Sequence, residues 1–173
     1  MTALAHLSSG YTTYEILMRF TAQESGLVLG AAIAGAIIPD IDAFFGAAMK
    51  DHRNTVFHAP LFWLSVCTAA FIVGQATFPA IKLHLLAFLA GALVHLFLDW
   101  FSGRTSGVRI FYPFSRKNFS LFPLRPERGT VPTIPGKDSF KEWVAFWRFY
   151  FSQRFLVIVE LLVIASPVAI IAF

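Results

Sequence analysis

The chain has 173 residues, enough for one domain, of which 57% are hydrophobic and only 14% charged, and 20 are phenylalanine. Soluble domains carry about 25% charged residues, so the composition excludes an ordinary water-bathed domain and points to lipid as the solvent. The formal charge is +4, and a single cysteine, Cys67, excludes an internal disulfide and a thiolate metal site. No basic leader precedes a clean apolar stretch at the N-terminus, so a cleaved signal peptide is not expected.

Residues 3–20 read as a helix that carries Glu15 and Arg19. Residues 27–38 are apolar and rich in small side chains (Gly30, Ala31, Ala32, Ala34, Gly35, Ala36), which let helix backbones approach closely in membranes. At about 1.5 Å per residue this piece is too short to span a bilayer alone. Pro39 and Asp40 end it, and residues 3–38 are expected to form a helical hairpin. Residues 57–78 and 83–100 are long enough to cross a bilayer, which needs about 20 apolar residues. A tight link at Pro79 and Lys82 joins them, so they form an antiparallel transmembrane pair over 57–100.

Residues 101–154 hold ten of the fourteen basic residues and five of the nine prolines. They read as an irregular basic segment with a short interfacial helix over 139–151, where Trp143, Phe146, Trp147 and Tyr150 share a face. Residues 155–173 are a third span. The positive-inside rule puts 101–154 in the cytoplasm. The expected fold is all-α, a single membrane domain over 1–173. It is a polytopic, multi-pass bundle of about five helices with an irregular basic cytoplasmic segment.

The residues able to do chemistry fall into five groups. They are His6; Asp40 with Asp42; His52 with Arg53; His58; and His95 with Asp99. His58 opens one span and His95–Asp99 close the next, so an antiparallel pair brings them to one side. Asp40 and Asp42 join His58 through a short loop, and a hairpin over 3–38 returns His6 to the same side. His95 and Asp99, spaced i, i+4, project from one helix face. Pro39 favours a non-helical bend in which Asp40 and Asp42 point the same way. Mixed imidazole and carboxylate donors suit Zn above all, with Mn, Fe or Ni as other divalent choices. An ion there offsets the cost of acids at a membrane boundary. Taken singly, Asp40 and Asp42 also suit a helix cap, and His95–Asp99 a hydrogen-bonded pair. His84 beside Lys82 reads as interfacial, and Glu15 and Glu160 as facing protein or the interface.

Three ordered motifs carry a resemblance: Pro39-Asp40-Ile41-Asp42, then His52-Arg53-Asn54-Thr55-Val56-Phe57-His58, then His95-Leu96-Phe97-Leu98-Asp99. They resemble the membrane-bound metal-dependent hydrolase family, also described as LexA-binding, inner-membrane-associated hydrolases. The later run 107–115 looks like that family's segment after the third motif. A more distant likeness is to zinc-dependent phospholipase C. By that likeness Asp40 or Asp42, His58, His95 and Asp99 hold one ion, and His6 with Asp99 holds a second.

The resemblance implies an inner-membrane enzyme that hydrolyses a phosphoester of a lipid or lipid-linked substrate, with its metal site on the cytoplasmic side. Asp40 and Arg53 are the candidate catalytic residues, with whichever of Asp40 and Asp42 is not fully engaged by metal as general base. His52, Arg53, Arg104 and Arg109 are candidates to grip an anionic group. The rival class is a non-enzymatic adaptor with a structural metal and a regulatory protein partner. A transporter ranks lowest, because the acids cluster at one boundary instead of lining a path. No nucleic-acid motif is present, so direct nucleic-acid binding is not expected.

Overall fold

A computed structural model describes residues 1–21, 25–42, 55–74, 78, 81–102, 107–121, 141, 144, 148 and 151–172. Five α-helices account for most of them: α1 Ala3–Thr21, α2 Gly26–Ile37, α3 Pro60–Gly74, α4 Ile81–Ser102 and α5 Arg154–Ala172. A single isolated bridge, Val108 to Phe119, is the β-type pairing among the described residues. The all-α expectation therefore holds. His52, Arg53, Arg104, Trp143, Phe146, Trp147 and Tyr150 lie outside the described residues. Of the interfacial helix expected over 139–151, Lys141, Val144, Arg148 and Phe151 are helical and exposed.

α1 buries several polar side chains without needing partners from other helices. Ser9 Oγ donates to the His6 carbonyl at 2.8 Å and Thr13 Oγ1 to the Ser9 carbonyl at 2.8 Å. Such back-bonding satisfies a hydroxyl within its own helix. α2 packs against α1 and α4 at backbone distance. A Cβ added at Gly91 would lie 2.2 Å from the Ala32 carbonyl oxygen, and one at Gly35 would lie 2.0 Å from that of Phe88. Only glycine permits this approach.

The contacts fix the directions of the helices. Ala32 lies at Gly91 and Ala36 at His95, so α2 and α4 run parallel. Trp63 packs with Leu96 while Gly74 meets Ile81, so α3 runs antiparallel to α4. Thr2, Thr12 and Arg19 meet Glu160, Ser166 and the Ile170 carbonyl in turn, so α5 runs parallel to α1. The start of α1, the end of α2, the start of α3 and the end of α4 thus gather at one end of the bundle.

Two boundaries differ from the sequence reading. The expected bend at Pro39 is a 3-10 turn over 38–42 that continues α2. Proline has no N–H to continue the α-ladder, but its fixed φ suits the tighter turn. The expected span over 57–78 has a helix of only 15 residues, Pro60–Gly74. Pro60 sits at the first helical position, and it holds Ala59 extended at φ −115°, ψ 116°. Val56–His58 form a separate 3-10 turn before it.

α4 and α5 are long and apolar enough to cross a membrane. On α5, Phe155, Ile158, Leu161, Leu162, Val168 and Ile171 are all exposed. A face of that kind is stable against hydrocarbon and costly against water.

Candidate metal centre

Four donor atoms converge at that end of the bundle. His58 Nε2 lies 3.3 Å from Asp40 Oδ1 and 3.7 Å from Asp99 Oδ2. His95 Nε2 lies 3.6 Å from the same Asp40 oxygen and 3.7 Å from the same Asp99 oxygen. All four residues offer ligand atoms within 4.8 Å of one another. A tetrahedral ion with bonds of about 2.0–2.1 Å holds its donors about 3.3–3.4 Å apart. The four histidine–carboxylate separations, 3.3–3.7 Å, match such edges to within a few tenths of an ångström. The donor set fits a divalent ion.

The rings are oriented as metal-binding imidazoles are. His95 Nδ1 lies 2.7 Å from the Ala36 carbonyl, in position to donate to it, while its Nε2 makes no hydrogen bond among the described residues. His58 turns Nδ1 toward Asp42 Oδ2 at 3.3 Å and Nε2 toward the donor cluster. For His95, the hydrogen bond of Nδ1 to a carbonyl fixes the tautomer and frees Nε2 for an ion. Asp42 is 3% exposed, and its Oδ2 accepts from Thr55 Oγ1.

Asp40 and Asp42 therefore serve different nitrogens of His58, although the sequence reading had them pointing the same way. A 3-10 turn advances about 120° per residue, so positions two apart diverge by about 240°. Asp42 braces the ring and Asp40 faces the ion position.

Asp99 works in two directions. Its Oδ2 belongs to the donor set, whereas its Oδ1 accepts from the Met1 amino group at 2.9 Å and lies 3.6 Å from His6 Nε2. His6 stacks on His95 with ring centroids 3.8 Å apart. His6 thus stands beside the cluster on the far oxygen of Asp99. Its Nε2 makes no hydrogen bond among the described residues.

Access is one-sided. The side chains of His58, His95 and Asp99 are sealed, and that of Asp40 is 30% exposed. Burial pushes the Asp40 carboxyl up, but the imidazoles of His58 and His95 outweigh this and hold it well below the usual carboxylate range. It is ionised at neutral pH, the form that binds a cation.

Arg109 is the one substrate-gripping candidate that falls within the described residues. Its backbone N–H donates to the His58 carbonyl at 3.3 Å, and its Nε to Asn118 Oδ1 at 3.3 Å. The turn over 107–121 is thereby pinned behind His58, with Val108 packed against Trp63 and Leu96. Sequence reasoning missed Thr55 and the Ala36 carbonyl. Thr55 lies inside the motif that ends at His58 and carried a signal. A backbone carbonyl carries none.

One mutation tests the bracing role. Asp42→Asn should lower ion affinity by about 10–100-fold, the usual effect of losing an outer-shell partner. Competition against a chelator measures it, and unchanged affinity would leave Asp42 a bystander.

A sequence profile for the family described as YdjM inner membrane protein matches residues 1–172. No curated protein and no solved structure matches the chain.

Proposed function

The chain belongs to the YdjM inner membrane protein family, and from that premise we propose that it is a membrane-bound, metal-dependent hydrolase of a lipid or lipid-linked phosphoester. One observation carries the reading. Four donors from Asp40, His58, His95 and Asp99 lie within 4.8 Å of one another, and the side chain of Asp40, 30% exposed, is where the cluster reaches the outside. A catalytic ion keeps a coordination position for water, and the Asp40 side of the cluster is where water would reach it.

Asp40, His58, His95 and Asp99 would hold a divalent ion, which would supply Lewis acidity and a water of lowered pKa. Zn suits the donors best, and Mn, Fe or Ni suit them too. The chain's own residues do the rest. His58 and His95 present their Nε2 lone pairs, held by Asp42 and the Ala36 carbonyl. Asp40, ionised and exposed, accepts the proton of an attacking water at the mouth. Arg109, Arg116 and Lys117 lie in a stretch, 107–121, that has no acid. Such a stretch favours an anionic head group. The same basic excess supports a cytoplasmic position for this end of the bundle.

The second reading is an adaptor with a structural ion, and one observation favours it: four protein donors can complete a tetrahedron without water. Turnover separates the two. Detergent-purified protein, stripped with chelator and reloaded with Zn, is assayed on vesicles containing phosphatidic acid and on a soluble aryl phosphodiester. The hydrolase reading expects metal-dependent product release, lowered about 100-fold in Asp40→Asn. A tightly held ion with no turnover on either probe decides for the adaptor.

A further inference from the structure

Glu160 lies on α5, the helix with the most exposed apolar surface, yet it is 3% exposed. An ionisable group buried in an apolar helix is costly and points to a function with a specific partner. The partner is the first turn of α1, because Glu160 Oε1 accepts the Thr2 N–H at 2.7 Å.

Thr2 in turn starts α1. Its hydroxyl accepts from the Ala5 N–H at 3.4 Å and its carbonyl from the His6 N–H at 3.2 Å. A carboxylate here faces the positive end of the helix dipole. The next link is His6, whose ring stacks on His95 and faces Asp99 Oδ1 at 3.6 Å. A continuous chain of contacts thus runs from α5 to two of the four candidate ion donors. The remaining α1–α5 contacts, Thr12 with Ser166 and Arg19 with the Ile170 carbonyl, lie progressively toward the other end of the pair.

We propose that Glu160 is a positioning residue of the metal centre: it anchors the first turn of α1 to α5, so that His6 is held against His95 and Asp99. The proposal rests on the metal-centre reading. It gives α5 a part in the site although α5 contributes no donor.

The test uses the full chain in detergent with Zn(II) affinity measured against a competing chelator and the Co(II) absorption spectrum recorded in parallel. Glu160→Ala should lower Zn affinity by about 10–100-fold and alter the Co(II) bands, as loss of outer-shell support does. Glu160→Gln keeps an acceptor for the Thr2 N–H and should recover most of the affinity. Ser166→Ala breaks another contact between the same helices and should lower the melting temperature without moving the affinity. Wild-type affinity and spectrum in Glu160→Ala overturn the proposal. An equal affinity loss in Ser166→Ala overturns it too, since general α1–α5 packing would then explain the effect. Should Glu160→Ala not fold, Glu160→Asp carries the test: it withdraws the oxygen from Thr2 while keeping the charge, and wild-type affinity there is equally fatal. Asp99→Ala isolates the premise, because Zn retained in that variant sinks the metal centre itself.

Discussion

Asp99→Ala is expected to abolish stoichiometric ion binding. Asp99 touches both halves of the site, with Oδ2 in the donor set and Oδ1 on the Met1 amino group and beside His6. Binding energies of about 10–16 kcal/mol for four-donor zinc sites put one donor's share at about 3 kcal/mol, or more than 100-fold in affinity. The side chain is fully buried, so water cannot readily take its place. Asp99→Asn should fall between wild type and alanine, because it keeps an oxygen donor and loses the charge. Metal analysis after gel filtration reads the outcome, with circular dichroism to confirm the fold. The control matters, since removing one member of a buried ion pair costs about 3–5 kcal/mol by itself. A folded Asp99→Ala protein with undiminished metal ends the case for this centre.

The second large effect comes from a residue that touches no ion. Gly91→Val places a Cβ 2.2 Å from the Ala32 carbonyl oxygen and 3.0 Å from the Ala36 nitrogen, both backbone atoms that cannot swing aside. α2 must move away from α4 by more than an ångström. Overpacking of this kind costs about 3 kcal/mol or more where backbone is the obstacle. The displacement also pulls the Ala36 carbonyl from His95 Nδ1, now 2.7 Å away. The expected result is a sharply lower melting temperature and, in whatever folds, weakened metal binding. Gly30→Ala, on α2, is the contrast. Nothing lies within 4 Å of its added Cβ, and alanine is favoured over glycine in a helix by about 1 kcal/mol. It should be neutral or stabilising. Equal melting temperatures for the two variants would contradict the close α2–α4 packing.

The sequence conveyed the large-scale arrangement well, because topology follows from hydrophobic length and link length. His58 at a span's start and His95 at the next span's end had to meet if the link was short. The run of small residues before Pro39 announced a close helix contact, though not its partner. Finer detail was lost where geometry hangs on the backbone. The 3-10 turn over 38–42 sends Asp42 to the back of His58, and no side-chain pattern distinguishes that turn from an open bend. The Ala36 carbonyl that holds His95 belongs to a residue read only as small. Glu160 read as facing protein or the interface, because the helix carrying it is apolar on all sides; the structure buries it against α1. The helix of α3 is shorter than its apolar run because Pro60 starts it late.

The four donors are scattered over separate elements, and the shortest stretch containing them all runs from 40 to 99. No single helix or hairpin cut from the protein would retain an ion. During synthesis, then, the growing polypeptide carries Asp40 and His58 as isolated polar groups until the end of α4 has left the ribosome. A cation held by this set would be loaded late, because the three segments that supply the donors emerge at different times.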